Sequence, residues 1–84
     1  MQVEDVRAKI KEIVSSVANI PVAEIGDDAS YQDDLGLDSL SLLEIGVDID
    51  YEFRLGLPEE EWQDVGSIDD AVQLVTANLA EKAA

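Results

Sequence analysis

The segment best suited to carry chemistry reads Asp38-Ser39-Leu40, where a turn-rich stretch gives way to an apolar, helical pattern. A serine at a helix N-terminus places its oxygen beside backbone N–H groups without intrahelical partners, at the positive end of the helix dipole. A phosphate attached to that oxygen would be stabilised there. The same local pattern also fits an ordinary helix cap, a role open to either Ser39 or Asp38.

Two residue types that commonly carry catalysis are missing, because the 84 residues include neither Cys nor His. Their absence excludes Ser-His and Cys-His catalysis, disulfide frameworks, and zinc sites built on thiolates or imidazoles. A domain of this size buries only about 60% of its unfolded surface, too little for both a core and a large preformed cleft. The sequence therefore indicates a protein that is not an enzyme.

Apolar residues recur at spacings of three and four in three stretches, which predicts three amphipathic helices. The predicted bounds are Val3–Ala18, Leu40–Arg54 and Ile68–Glu81, with a short helix from Pro58 to about Asp64. Asn19 and Pro21 end the first helix, and Ser67 with Asp70 resembles a capping box at the start of the last. The fold class is therefore all-α: a small bundle of three main helices plus one short helix, in one domain, residues 1–84.

A long loop joins the first two helices. Breakers and turn formers fill the interval from Asn19 to Asp38 without a sustained period. Long connections of this kind are uncommon in compact domains and usually functional, provided that apolar side chains tie them down. The expected anchors are Ile20, Val22, Ile25, Tyr31 and Leu35.

The second helix has two apolar stripes, and a bundle this small can bury only one of them. One stripe contains Leu42, Ile45, Ile49 and Phe53, and the other contains Leu40, Leu43, Val47 and Tyr51. Carboxylates accompany the stripes at Glu44, Asp48, Asp50 and Glu52. We therefore expect an exposed apolar strip bordered by acidic residues, which suits docking to a basic partner.

The charge balance points to the same kind of partner. Twenty acidic residues against five basic ones give a formal charge of −15 at neutral pH. That charge repels nucleic-acid phosphates and anionic lipid surfaces and favours partners that present Lys and Arg. No apolar run approaches the roughly 20 residues that cross a bilayer, and the N-terminus lacks a signal-peptide core. We expect a cytoplasmic monomer that binds neither nucleic acid nor membranes.

The run Asp33-Asp34-Leu35-Gly36-Leu37-Asp38-Ser39-Leu40, followed by an acidic helix ending in Tyr51-Glu52-Phe53, resembles the acyl carrier protein family. The helix order, the long first loop and the Pro58-Glu59-Glu60-Glu61 start of the short helix extend the resemblance over the whole chain. In that family the serine of Asp-Ser-Leu carries 4'-phosphopantetheine through a phosphodiester. The resemblance implies that Ser39 is the attachment site, and that the protein delivers thioester-bound acyl intermediates to fatty-acid or polyketide enzymes.

The resemblance also implies roles for other residues. Asp38 would help a phosphopantetheinyl transferase and its magnesium ion to engage Ser39, without forming a resident metal site. Glu44 and Asp50 would meet Lys and Arg on acyl synthases and transferases. The apolar contacts between them would come from Leu40, Leu43 and Val47.

Three alternatives stay open beside this interpretation. Asp48, Asp50, Glu52 and Glu59 fit positions one, three, five and twelve of an EF-hand calcium loop, but Phe53 stands where that loop needs glycine. An acidic adaptor that binds a basic protein without a covalent group would use the same surface. Within the carriers, a peptidyl or D-alanyl carrier is also possible.

The chain departs from the family's usual pattern at several positions. Ser41 and Tyr51 stand where acidic residues are common, and Trp62 stands where a small residue is common. Gly46 lies inside the second helix although Gly costs up to about 1 kcal/mol there relative to Ala. Its missing side chain would admit a neighbouring helix or leave room for cargo, unless the glycine reflects drift at a tolerated position.

Overall fold

The structure, a computed structural model, describes residues 2–83. Its helices are α1 (Val3–Ala18), α2 (Ser39–Phe53), α3 (Glu59–Gln63) and α4 (Ile68–Ala83). No β-strand occurs in this part of the chain, so the predicted all-α bundle of three main helices and one short helix is confirmed. Helix α2 starts one residue before the predicted boundary and α4 runs two residues beyond it. Residues 1 and 84 of the predicted domain lie outside the described residues.

Helix α1 packs against α4 and α2 through one face. Val6, Ile10 and Val14 are spaced four apart and fully buried, so they form a single line along the helix. Asn19 ends α1 in the left-handed conformation with φ of 58°, as expected of Asn at a helix C-cap. The apolar spacing of the sequence and the packing of α1 therefore agree.

The predicted capping box at the start of α4 forms only in part. The backbone N–H of Asp70 donates to Ser67 Oγ at 3.1 Å, as expected. The Asp70 carboxylate, however, accepts from the backbone N–H of Gly66 at 3.2 Å. In a capping box it would bond back to the cap residue itself, so here the carboxylate reaches one residue further.

The long first loop is ordered by its own hydrogen bonds and by α4. The Tyr31 N–H donates to Gly66 O at 2.9 Å and the Ile68 N–H to Ala29 O at 3.0 Å, which ties the loop to the start of α4. Ile25 and Tyr31 are buried, and Ile20 and Leu35 half-buried, as predicted for anchors. Val22 is wrong as an anchor: it begins the short 3-10 turn Val22–Glu24 with its side chain 40% exposed.

Two basic residues of α1 also hold the loop. Lys11 Nζ lies 2.8 Å from the Asp27 carboxylate, and the Arg7 guanidinium donates to the Asp27 backbone carbonyl. The Lys11 hydrogen bond and charge lower the pKa of the exposed Asp27. These contacts fasten the middle of the loop to α1 at Asp27.

Candidate functional site

Ser39 is the first residue of α2, and the residue before it supplies the cap. Asp38 has extended backbone angles, and its Oδ1 accepts from the Ser41 N–H at 2.9 Å. The cap is therefore Asp38, which resolves the choice that the sequence left open. The Ser39 side chain is exposed, and its hydroxyl makes no hydrogen bond to any other described residue. A helix N-terminus thus presents a serine hydroxyl that is not used for capping.

Asp38 stays charged down to lower pH than an ordinary aspartate. The hydrogen bond from the Ser41 backbone N–H, followed by one from the Ser41 side chain, lowers the pKa of the Asp38 carboxyl. A carboxylate at a helix N-terminus is also favoured by the helix dipole. Ser39 is therefore flanked by a fixed negative charge that belongs to the cap.

The chain approaches Ser39 through a turn that loop hydrogen bonds define. Gly36 adopts φ of 64°, in the left-handed region that glycine tolerates. The Leu37 N–H donates to Tyr31 O at 2.9 Å, and Leu37 is half-buried against the core. Because Tyr31 is itself buried, this contact fixes where the loop turns into α2.

The structure separates the two stripes of α2 as predicted. Ile45, Ile49 and Phe53 are buried and Leu42 is half-buried. The other stripe is exposed, with Leu40 at 65%, Leu43 at 40%, Val47 at 57% and Tyr51 at 84%. Glu44 is exposed beside these side chains. Four large apolar side chains and a carboxylate therefore form one continuous outer surface that begins next to Ser39.

Asp50 differs from Glu44 because its carboxylate is used within the protein. It accepts from the backbone N–H groups of Gly56 and Leu57, at 3.0 and 2.9 Å, and from the Trp62 indole N–H at 3.2 Å. These bonds connect α2 both to the loop that follows it and to α3. A contact between Asp50 and a partner stays a prediction, and any such contact would compete with these internal bonds.

The glycine in α2 lies under the tryptophan of α3. Gly46 is buried, and a Cβ added to it would lie 3.0 Å from Trp62 Cβ and 3.1 Å from Trp62 Cγ. Contacts that short require the neighbouring side chain to move. The space beside Gly46 is thus filled by Trp62, so the close approach of α3, rather than room for cargo, accounts for the glycine. The sequence marked both positions as unusual, but only their juxtaposition explains them.

A cavity of about 470 Å3 lies beside Ser39, between α2 and the segment from α3 to Val65. Ser39, Leu40, Leu42, Leu43, Glu59, Trp62, Gln63 and Val65 line it. This volume falls within the range of about 300–1,000 Å3 of small-molecule sites, and apolar side chains dominate the lining. No feature of the sequence pointed to this cavity, because its walls come from separate elements.

The EF-hand alternative is contradicted by local structure. Asp48, Asp50 and Glu52 lie within the continuous α-helix Ser39–Phe53, whereas an EF-hand needs them in a ligand loop. Asp50 is also occupied by three hydrogen bonds from its own chain.

Over the described part of the chain, no helix is long and apolar enough to span a membrane.

Comparison with known proteins identifies relatives over most of the chain. A protein family described as "Phosphopantetheine attachment site" matches residues 8–75. The chain is 36% identical over 73 residues to an acyl carrier protein of Clostridium acetobutylicum, covering 87% of this chain and 95% of that protein. It is 32% identical over 72 residues to an acyl carrier protein of Acidothermus cellulolyticus, covering 86% of each.

Proposed function

This chain belongs to the acyl carrier protein family, whose members carry phosphopantetheine, and we propose that Ser39 is the residue that carries it here. On this proposal the attached group holds acyl intermediates as thioesters and presents them to enzymes of fatty-acid or polyketide synthesis. The protein itself is a carrier and does not catalyse acyl transfer. The expected cytoplasmic location and monomeric state stay predictions.

The observation that carries the proposal is the exposed Ser39 hydroxyl at the first position of α2. Asp38 supplies the cap, so modification of Ser39 leaves the cap bond to Ser41 in place. A phosphodiester at Ser39 would lie at the N-terminal end of α2, where the helix dipole favours an anion. The residues present therefore fit the group.

The cofactor supplies the thiol that this Cys-free chain lacks. What the protein's own residues contribute is attachment, orientation and recognition. Asp38 supports modification from beside Ser39, where its carboxylate can meet the magnesium ion of a phosphopantetheinyl transferase. No resident metal is assigned to this chain.

The partner surface that we propose is the outer side of α2. Leu40, Leu43 and Val47 supply exposed apolar area, and Glu44 supplies charge beside them. Basic synthases and transferases would be attracted by the charge and would then pack on the apolar strip. Asp50 is included as a second steering charge, although its internal hydrogen bonds make Glu44 the stronger candidate.

Intact mass after coexpression with a phosphopantetheinyl transferase tests the attachment site. Wild type should gain one phosphopantetheine, and Ser39→Ala should gain none. Ser41→Ala is the matched control, because Ser41 lies two residues further along the same helical turn and should leave modification intact. Phosphopantetheine on Ser39→Ala, or on a different serine of wild type, would overturn the assignment.

The same measurement separates the rival functions. A non-covalent acidic adaptor would remain unmodified, whereas any carrier would gain the group. The mass of the protein purified from its native source then distinguishes acyl cargo from the aminoacyl or peptidyl cargo of the other carrier classes.

A further inference from the structure

A second cavity, of about 370 Å3, continues the groove between α2 and α3 away from Ser39. It is lined by Leu43, Val47, Asp50, Tyr51, Leu57, Glu59 and Trp62. Leu43, Glu59 and Trp62 also line the cavity beside Ser39. These three side chains are common to the two cavities, and Trp62 is the bulkiest of them.

Two contacts fix the position of the Trp62 side chain. Its base rests against Gly46, where a Cβ would lie only 3.0 Å from Trp62 Cβ. Its indole N–H donates to Asp50 Oδ2 at 3.2 Å, and the same oxygen also accepts from the Leu57 N–H. The indole is thus held at its base by close packing and at its polar edge by a charge-assisted hydrogen bond.

We propose that Trp62 is a specificity-determining residue, which confines an unbranched apolar acyl chain to the cavity beside Ser39 and excludes it from the second cavity. This inference rests on the proposed function, because it requires acyl cargo on an arm attached to Ser39. Ser39 itself lines the first cavity, so a chain on that arm can fold back into it. The indole then sets the acyl-chain length beyond which additional methylenes are no longer buried in the cavity.

If Trp62 acts in this way, thioester lifetime should increase with acyl-chain length up to a certain length and stay constant beyond it. We call that length the break. Each methylene that enters an apolar cavity favours the sheltered form by about fourfold, from about 0.8 kcal/mol per buried methylene. The gain should continue until the chain reaches Trp62 and then stop, because further methylenes remain in water. With a smaller residue at position 62, the break should move to longer chains.

The experiment loads wild type and Trp62→Leu with saturated straight-chain acyl groups of increasing length, using acyl-coenzyme A and a phosphopantetheinyl transferase. Thioester half-life is measured at one pH, relative to the acetyl form. Wild type should show the break, and Trp62→Leu should show it at longer chains. Ile10→Val is the control for lost stability, since Ile10 is buried in α1 and lines neither cavity. Its break should stay at the wild-type length.

The fluorescence of wild type gives a second readout that does not depend on any variant folding. Trp62 is the only tryptophan in the chain, so the emission reports on this side chain alone. Emission should remain that of the unacylated form for short chains and shift at the length where the break occurs.

The outcomes separate this inference from the proposed function. A break at the same length in wild type and Trp62→Leu, or emission independent of chain length, would overturn the role of Trp62 while leaving Ser39 as the attachment site. Absence of any mass gain at Ser39 would instead overturn the proposed function, and the inference with it.

Discussion

The indole N–H of Trp62 donates to the Asp50 carboxylate at 3.2 Å, which links α3 directly to the C-terminal part of α2. The same carboxylate accepts two backbone N–H groups from the intervening loop. Asp50 is therefore a structural residue of the α2–α3 connection, whatever it also contributes to partner binding. The position of one wall of the cavity beside Ser39 depends on it.

Asp50→Asn should destabilise the fold by about 1–2 kcal/mol, because an amide oxygen replaces a charged acceptor that serves three donors. Asp48→Asn is the matched control, since it removes the same charge from an exposed position on the same helix and should change stability by less than about 0.5 kcal/mol. Urea unfolding of both variants measures the difference. Equal stabilities would show that the three bonds contribute nothing net.

Gly46→Leu should destabilise the bundle by about 1–3 kcal/mol, because the new side chain meets Trp62 at less than ordinary contact distance. Trp62→Ala should relieve that overlap in the double variant. The coupling energy between the two positions should therefore be favourable, within the range of about 0.5–3 kcal/mol for contacting residues. Thermal melts of the four unmodified proteins in this cycle measure it, and purely additive effects would contradict the contact.

Ser39→Ala and Asp38→Ala should differ in their effects on the stability of the fold. Asp38→Ala loses the bond to the Ser41 N–H and should cost about 0.5–2 kcal/mol, whereas Ser39→Ala leaves the cap intact and should cost less than about 0.5 kcal/mol. Ser39→Ala nevertheless abolishes modification on our proposal. Stability and intact mass measured on the same samples check both statements, and a larger stability loss for Ser39→Ala would assign the cap to the serine.

Asp38→Asn tests the charge of the cap without removing its hydrogen-bond acceptor. The folded-state pKa of Asp38 is lowered, so its charge contributes stability above the unfolded value of 3.8, and that contribution is lost as the pH falls through the folded pKa. The stability difference between wild type and Asp38→Asn should therefore be constant near neutral pH and shrink below about pH 4. Urea midpoints across pH 2–7 measure this, and a difference independent of pH would contradict it.

Glu44→Lys with Asp48→Lys should slow pantetheinylation and acyl transfer at low salt, mainly through a lower association rate. The defect should shrink as salt rises, because screening weakens the attraction in wild type. These positions are preferred to Asp50 for charge reversal, since Asp50→Lys would also break the internal hydrogen bonds. An unchanged rate at low salt would exclude this acidic face from recognition.

Short-range pattern was enough to predict the helices and the orientation of α2. The spacing of Val6, Ile10 and Val14 marks the buried face of α1, because a helix brings residues four apart onto one line. The two stripes of α2 follow from the same periodicity and from the small core available to a bundle of this length. The position of Ser39 at a helix start could also be predicted locally, because its immediate neighbours indicate where α2 begins.

Only the structure decided the remaining features, most of which depend on residues that are distant in sequence. Asp and Ser can both cap a helix, so residue type alone left the cap open. The backbone geometry shows that Asp38, and not Ser39, caps α2. Asp50, expected as a surface charge, bonds to a loop and an indole as far as twelve residues away. Gly46 and Trp62 each looked anomalous alone, and the cavity walls come from separate elements. Helical periodicity specifies which face is buried, but packing specifies what that face touches.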